Sequence, residues 1–143
     1  MARDTKKIDA KGRFFIPTKF KEAMGEDLVV TTSLDTGYLS VYTAEAFKKV
    51  TQQLKGLNSF DPKVRWIKRE ILGEALEVKV DSQGRIKVSD ELWERIGAQN
   101  GDEICVLDVD GKLDICTKAF YAEADHDISS IVGLESAYFI EGL

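Results

Sequence analysis

Between Thr43 and Gly73 the apolar positions recur every three or four residues. Phe47, Val50, Leu54 and Leu57 form one such series behind Thr43, a good N-cap. Val64, Ile67 and Ile71 form another, with Asp61 as N-cap, Pro62 in the first helical position and Gly73 as stop. The spacing predicts two helices here. Arg65, Lys68 and Arg69 fall on the outer face of the second and read as solvated surface. On either side of this pair the pattern is that of short strands and turns. "SLDTGYLSVY" and "VLDVDGKLDI" read as hairpins with glycine at the bend. Two shorter helices precede them. Phe20 and Met24 stand at i and i+4 behind Pro17, with Gly25 as terminator. Leu92 and Ile96 do the same behind Ser89, with Asp90 and Glu91 near the positive end of the helix dipole and Gly97 closing.

The two flanks are copies of one unit. "IDAKGRFFIP" begins at Ile8 and "VDSQGRIKVS" at Val80, so Asp9 and Asp81, Gly12 and Gly84, Arg13 and Arg85 each stand 72 positions apart. Past Gly25 and Gly97 the offset becomes 74, which aligns Gly37 with Gly111 and Leu39, Val41 and Thr43 with Leu113, Ile115 and Thr117. Each unit reads as strand, tight turn, strand, short helix and hairpin. A unit of that size cannot bury its own apolar face, so two copies closing on each other is the expected solution. Asp-x-x-Gly fits a type I turn whose glycine takes positive φ, with the aspartate accepting hydrogen bonds from the turn amides. Asp9, Gly12, Asp81 and Gly84 therefore read as turn-forming, and Arg13 and Arg85 as side chains leaving the base of each loop.

At 143 residues the chain has room for one domain with a sizeable core. It contains no apolar run of about 18 residues, and Met1 is followed by "ARDTKK", so a soluble cytoplasmic protein is expected. Cys105 and Cys116 lie in apolar runs. If Asp110–Gly111 is a two-residue loop, they face each other across a hairpin as structural thiols. The net charge is −5, but it is polarised. Residues 1–25 carry seven basic and three acidic groups, whereas residues 101–143 carry ten acidic and two basic ones. For a polyanionic partner the local patch counts for more than the total.

Two D-x-x-x-R bends in the same setting, "GEALEVKVDSQGRIKV", and a helix pair between the copies resemble the MraZ family, bacterial transcriptional regulators with two AbrB-like (SpoVT-type) units. The resemblance spans roughly residues 5–120. It implies an α+β, mainly β fold in which both units make one swapped-hairpin β-barrel with helices outside. The division would be 5–48 for the first unit, 49–75 for a helical connector, 76–120 for the second unit and 121–143 for an acidic tail, the two units forming one compact domain. It also implies a ring-shaped homo-oligomer that binds tandem DNA repeats upstream of its own cell-division and cell-wall gene cluster, commonly as a repressor, associated with the nucleoid. The D-x-x-x-R arginine is the family's DNA-contacting residue, which places Arg13, and second Arg85, on the DNA. Lys6, Lys7, Lys11 and Lys19 are the expected phosphate contacts. Ser82 and Gln83 make the second loop less basic than Ala10–Lys11, so the two loops are expected to contribute unequally.

Other function classes fit less well. Asp9 and Asp81 could be imagined as a catalytic carboxylate pair, but each is used by its turn and no nucleophile–base set surrounds it. The single histidine, His126 in "DHD", makes a poor metal site. No enzyme activity, metal, cofactor, membrane or small-molecule substrate is expected. The alternative is an oligomeric scaffold or antitoxin-like interaction module working through the tail, with Tyr138, Phe139 and Ile140 as its contacts.

Overall fold

The computed structural model describes residues 3–123. In chain order the elements are β1 (Arg3–Lys7), β2 (Arg13–Phe15), α1 (Thr18–Met24), β3 (Asp27–Thr32), β4 (Leu39–Thr43), α2 (Ala44–Lys55), α3 (Pro62–Ile71), β5 (Leu76–Lys79), β6 (Arg85–Lys87), α4 (Asp90–Arg95), β7 (Glu103–Val109), β8 (Lys112–Thr117) and α5 (Lys118–Glu123). Six strands form one antiparallel sheet in the order β1-β7-β8-β4-β3-β5, and β2 pairs with β6 in a separate ribbon. The mixed α+β class expected from the sequence is what is found.

The strand pairs cross between the copies. β1 of the first copy pairs with β7 of the second, Thr5 opposite Cys105, while β5 of the second pairs with β3 of the first, Leu28 opposite Val78. The hairpins meet where β4 pairs β8, Val41 opposite Leu113. The ribbon pairs Phe14 with Ile86. Each copy thus lends its first strand to the other's hairpin, and neither has a complete sheet alone. The pairing does not itself make a closed barrel. Among the described residues the outer strands β1 and β5 are not joined to each other, and the ribbon lies against both edges, β2 touching β1 and β6 touching β5. The core fills the space between sheet and ribbon, with Phe14, Ile86, Val30, Ile104 and Trp93 all at 1% exposure or less.

The predicted caps hold the helices. Thr43 Oγ1 accepts from the Ala46 amide at 2.9 Å, Asp61 Oδ1 from the Lys63 amide at 2.9 Å and Ser89 Oγ from the Leu92 amide at 3.3 Å. The connector helices lie shallower than their periodicity predicts. α2 buries no residue fully, Val64 and Ile67 of α3 are half-buried, and Ile71 alone in α3 is buried. What anchors α3 is polar. Buried Thr31 donates its hydroxyl to the Ile71 carbonyl at 2.6 Å, and Thr32 donates to Glu70, which satisfies carbonyls left open at the helix end. Arg95 of α4 adds ion pairs to Glu70 and Glu74.

The Asp110–Gly111 loop has two residues, both at positive φ (52° and 82°), and Cys105 stands opposite Cys116. Burial, with Cys105 beside it, pushes the Cys116 thiol up to about 11, which keeps it a neutral core group. The sequence reading did not expect α5. Its Phe120 amide donates to Thr117 Oγ1 at 3.0 Å, and its ring meets Tyr38 edge-on at 5.6 Å. His126 and Tyr138–Ile140 lie outside the described residues.

Phe14 and Phe15 provide a direct check on this packing. Phe14 is 1% exposed and meets Trp93 edge-on at 5.8 Å, whereas its neighbour Phe15 is 49% exposed. Phe14→Ala should cost about 3–5 kcal/mol in urea unfolding at equilibrium, and Phe15→Ala no more than about 0.5 kcal/mol. Equal losses would place the core on the wrong side of the ribbon.

Candidate nucleic-acid interface

Each Asp-x-x-Gly-Arg bend is built by its own aspartate. In the first, the Gly12 amide donates to the Asp9 carbonyl at 3.1 Å and the Asp9 amide to the Arg13 carbonyl at 2.8 Å. Asp9 Oδ1 accepts from the Lys11 and Arg13 amides, both at 2.9 Å, and Oδ2 accepts from Arg13 Nε at 2.8 Å. The second bend repeats this. Asp81 Oδ1 takes the Gln83 and Arg85 amides at 2.9 Å, and Oδ2 takes Arg85 Nε at 2.9 Å. Gly12 and Gly84 sit at φ 80° and 85°, where any other residue would be strained.

These contacts fix each guanidinium by one edge. Nε is spent on the aspartate, and the Nη groups at the far edge remain to meet something outside the bend. The two sites also communicate. Arg85 Nη1 lies 3.9 Å from Asp9 Oδ2, so the first bend's carboxylate faces both arginines. The Arg13 and Arg85 side chains stay 26% and 17% exposed, neither sequestered nor free to swing.

Antiparallel pairing of β2 with β6 sets the two bends at opposite ends of a ribbon only three residues long and decides what surrounds them. Arg13 lies opposite Lys87 and Phe15 opposite Arg85, while Phe14 and Ile86 point into the core. Arg13, Phe15, Arg85 and Lys87 therefore share the outer face, with the Arg85 guanidinium 5.8 Å from the centre of the Phe15 ring. Phe15 and Lys87 are the residues that sequence reasoning missed. The signal was present as strand alternation, since each stands two positions after its arginine in "GRFF" and "GRIK".

The expected lysines divide between two surfaces. Lys11 is exposed on the first bend. Lys6 of β1 and Lys19 of α1 line a cleft between these elements together with Asp4 and Asp108, a balanced set of charges rather than a cationic one. Lys7 is exposed at the end of β1.

The aspartates have no proton to offer. The amide donors, the Arg13 amide above all, hold the Asp9 carboxyl down at about 2, against the opposing effect of its partial burial, and the Arg85 amide acts on Asp81 in the same direction. Such groups stay ionised at neutral pH and act as scaffolding anions, not as general acids. Among the described residues no three His, Cys, Asp or Glu side chains group as a metal site, and no helix is long and apolar enough to cross a membrane.

Two interlocked repeats, with paired arginine bends on a cationic ribbon, define an internally duplicated α+β protein. Residues 1–70 match the family model described as "MraZ protein, putative antitoxin-like". Curated proteins named "Transcriptional regulator MraZ" match over most of the chain. That of Lachnoclostridium phytofermentans is 35% identical, over 84% of this chain and 82% of its own. Those of Acetivibrio thermocellus (34%, over 78% and 76%) and Symbiobacterium thermophilum (32%, over 87% and 88%) match comparably. The chain belongs to the MraZ family.

The bend chemistry predicts an acid signature. Because the carboxyl of Asp9 is lowered on folding, its ionised form adds stability in full above about 3.8, and that contribution is lost as pH falls through about 2. Asp9→Asn should be less stable than the parent at neutral pH, and its unfolding free energy should fall less steeply across this acid window. Parallel acid limbs for the two proteins in urea titrations would show that Asp9 does not stabilise the bend.

Proposed function

We propose that this chain is a sequence-specific, duplex-DNA-binding transcriptional regulator that uses the outer face of the β2–β6 ribbon. The observation that carries the reading is the pair of guanidinium groups, each gripped by its own aspartate and set side by side on one cationic face. Arginine reads guanine through two parallel donors to O6 and N7, worth about 1–3 kcal/mol of discrimination per good pair. A guanidinium already oriented by its Nε edge loses little freedom on making that contact. Lys11 and Lys87 flank the two arginines and neutralise phosphates, and Lys6, Lys7 and Lys19, on β1 and α1, are the further phosphate contacts this reading assigns. The names of the curated relatives support regulation of transcription as the outcome.

One ribbon carries too few contacts for tight, selective binding. A ring-shaped homo-oligomer facing tandem repeats of matching spacing multiplies weak grips through effective concentration. The proposed target is the repeat array upstream of the chain's own cell-division and cell-wall gene cluster, bound as a repressor by a cytoplasmic, nucleoid-associated protein. Assembly is supported by an apolar cleft in which Leu34 and Trp66 are 55% and 49% exposed, with Pro62 and Ile67 beside them. We assign it to a neighbouring copy. Lys63, Arg65, Lys68 and Arg69 on α3 make no salt bridge among the described residues, and neither do Asp90, Glu91 and Glu94 on α4. A head-to-tail contact between the two faces would complement charge and close a ring. The same cleft also suits the alternative of an oligomeric scaffold or antitoxin-like interaction module. That reading requires assembly but no DNA.

Arg13→Ala, still folded and of parental mass, should lose most specific retardation on DNA from just upstream of the gene. Undiminished retardation would remove Arg13 from the interface, and no retardation by the parent protein would favour the scaffold. Parental affinity should also fall steeply with salt, log K declining by about 0.9 per phosphate contacted for each unit of log salt concentration. Trp66→Asp should lower the particle mass in sedimentation. An unchanged mass would place the copy–copy contact elsewhere.

A further inference from the structure

The two bends are alike in backbone but are held by different side chains. Lys21 of α1 and Trp93 of α4 stand 72 positions apart, the offset that relates the two arginines, so they occupy the same place in the two copies. Each helix packs its residue onto the bend of the other copy. Trp93, 1% exposed, donates from Nε1 to the Gly12 carbonyl at 3.0 Å. Asn100 donates from Nδ2 to the Ala10 carbonyl at 2.9 Å, and the first bend is thereby tied at two of its carbonyls by side chains.

The second bend has no matching side-chain brace among the described residues. Backbone bonds are equivalent on both sides, Val88 N to the Gly12 carbonyl at 3.1 Å and Ile16 N to the Gly84 carbonyl at 3.0 Å. Where the first bend has the indole of Trp93, however, the second has the ammonium of Lys21. A Cβ at Gly84 would lie 3.8 Å from Lys21 Nζ. Lys21 is half-buried, and no salt bridge engages it among the described residues.

This cation stands where the loop sequence lacks one. Lys11 of the first bend corresponds to Gln83 of the second. Counting Lys21, each bend holds one lysine, one arginine and one aspartate. A braced bend suits recognition that depends on direction, because bidentate pairing with a base edge tolerates little misplacement. An ammonium on a flexible stem suits a phosphate, which needs charge nearby and little orientation.

We propose that Lys21 is a phosphate-binding residue of the second bend, so that the Arg13 bend reads base edges while the Arg85–Lys21 bend grips the backbone. This rests on the DNA-binding reading. The test uses full-length protein and two labelled duplexes of equal length, the upstream DNA and a scrambled version, titrated by anisotropy over a salt series. Lys21→Ala and Lys21→Gln should weaken both duplexes by the same factor. They should also reduce the salt slope by about 0.9 for each copy in contact, and Lys21→Arg should restore it. Arg85→Ala should behave as Lys21→Ala does. Arg13→Ala should instead erase the preference for the upstream DNA. If Arg13→Ala loses the preference while the Lys21 variants keep parental affinity and slope, this inference falls and the DNA reading stands. The inference is equally overturned if the Lys21 variants lose only the preference. If the parent protein binds neither duplex, both readings fall. Unchanged melting temperatures separate these effects from misfolding, and Lys21→Gln keeps most of the stem where Lys21→Ala disturbs packing.

Discussion

Neither copy of the repeat can bury its own apolar face, and the rest of the molecule follows from that constraint. A five-element unit of this size exposes one side of its hairpin and both edges of its first strand. Exchanging first strands pairs the open side of each hairpin with one edge of each first strand, since β1 completes the second hairpin and β5 the first. The exchange also brings β2 and β6 together, because each follows its lent strand through a tight bend. The two bends are neighbours for a packing reason, and the cationic face is a consequence of how the core closes.

Within each bend the aspartate does two jobs with one charge. Its first oxygen satisfies amides that the turn would otherwise leave open, and its second orients the arginine. One of each guanidinium's five N–H donors is thereby spent internally. The counter-charge weakens the local field, but the alternative is a long side chain with several rotamers to lose on binding. In the first bend, where Trp93 and Asn100 also brace the backbone, such a partly neutralised but oriented arginine suits selectivity better than bulk attraction. The surrounding lysines, exposed and unoriented, suit the latter. Asp9 reaching Arg85 as well as Arg13 makes the two bends one electrostatic unit.

The features legible in the sequence were those set by near neighbours. The caps at Thr43, Asp61 and Ser89, the glycine bends and the facing cysteines each depend on residues only a few positions away or on one loop length. The identity of the partners across copies was not legible. Nothing within β1 says that it pairs with β7 rather than with its own hairpin, because alternation fixes a face and not a partner. Lys87 and Phe15 were overlooked for that reason, since their importance lies in which strand stands opposite. The connector helices failed differently. Periodicity correctly predicted their existence but overstated their depth, and Trp66 is half-exposed on a helix pinned at its C-terminal end by two threonines of β3. Helical spacing records which side of a helix is apolar, not whether this chain or another copy covers it.

The departures from perfect repetition bear on what kind of site could be read. A ribbon with true twofold symmetry would offer identical bends to both halves of a site and would favour inverted repeats. Here the twofold survives in the backbone and is broken at the surface, with Phe15 against Lys87, Trp93 against Lys21 and Lys11 against Gln83. On the proposed reading, such a ribbon has a direction along the duplex. A subunit with a direction, repeated around a ring, presents the same orientation at every step. That geometry matches repeats running head to tail, and it ties the asymmetry inside one chain to the tandem arrangement of its proposed target.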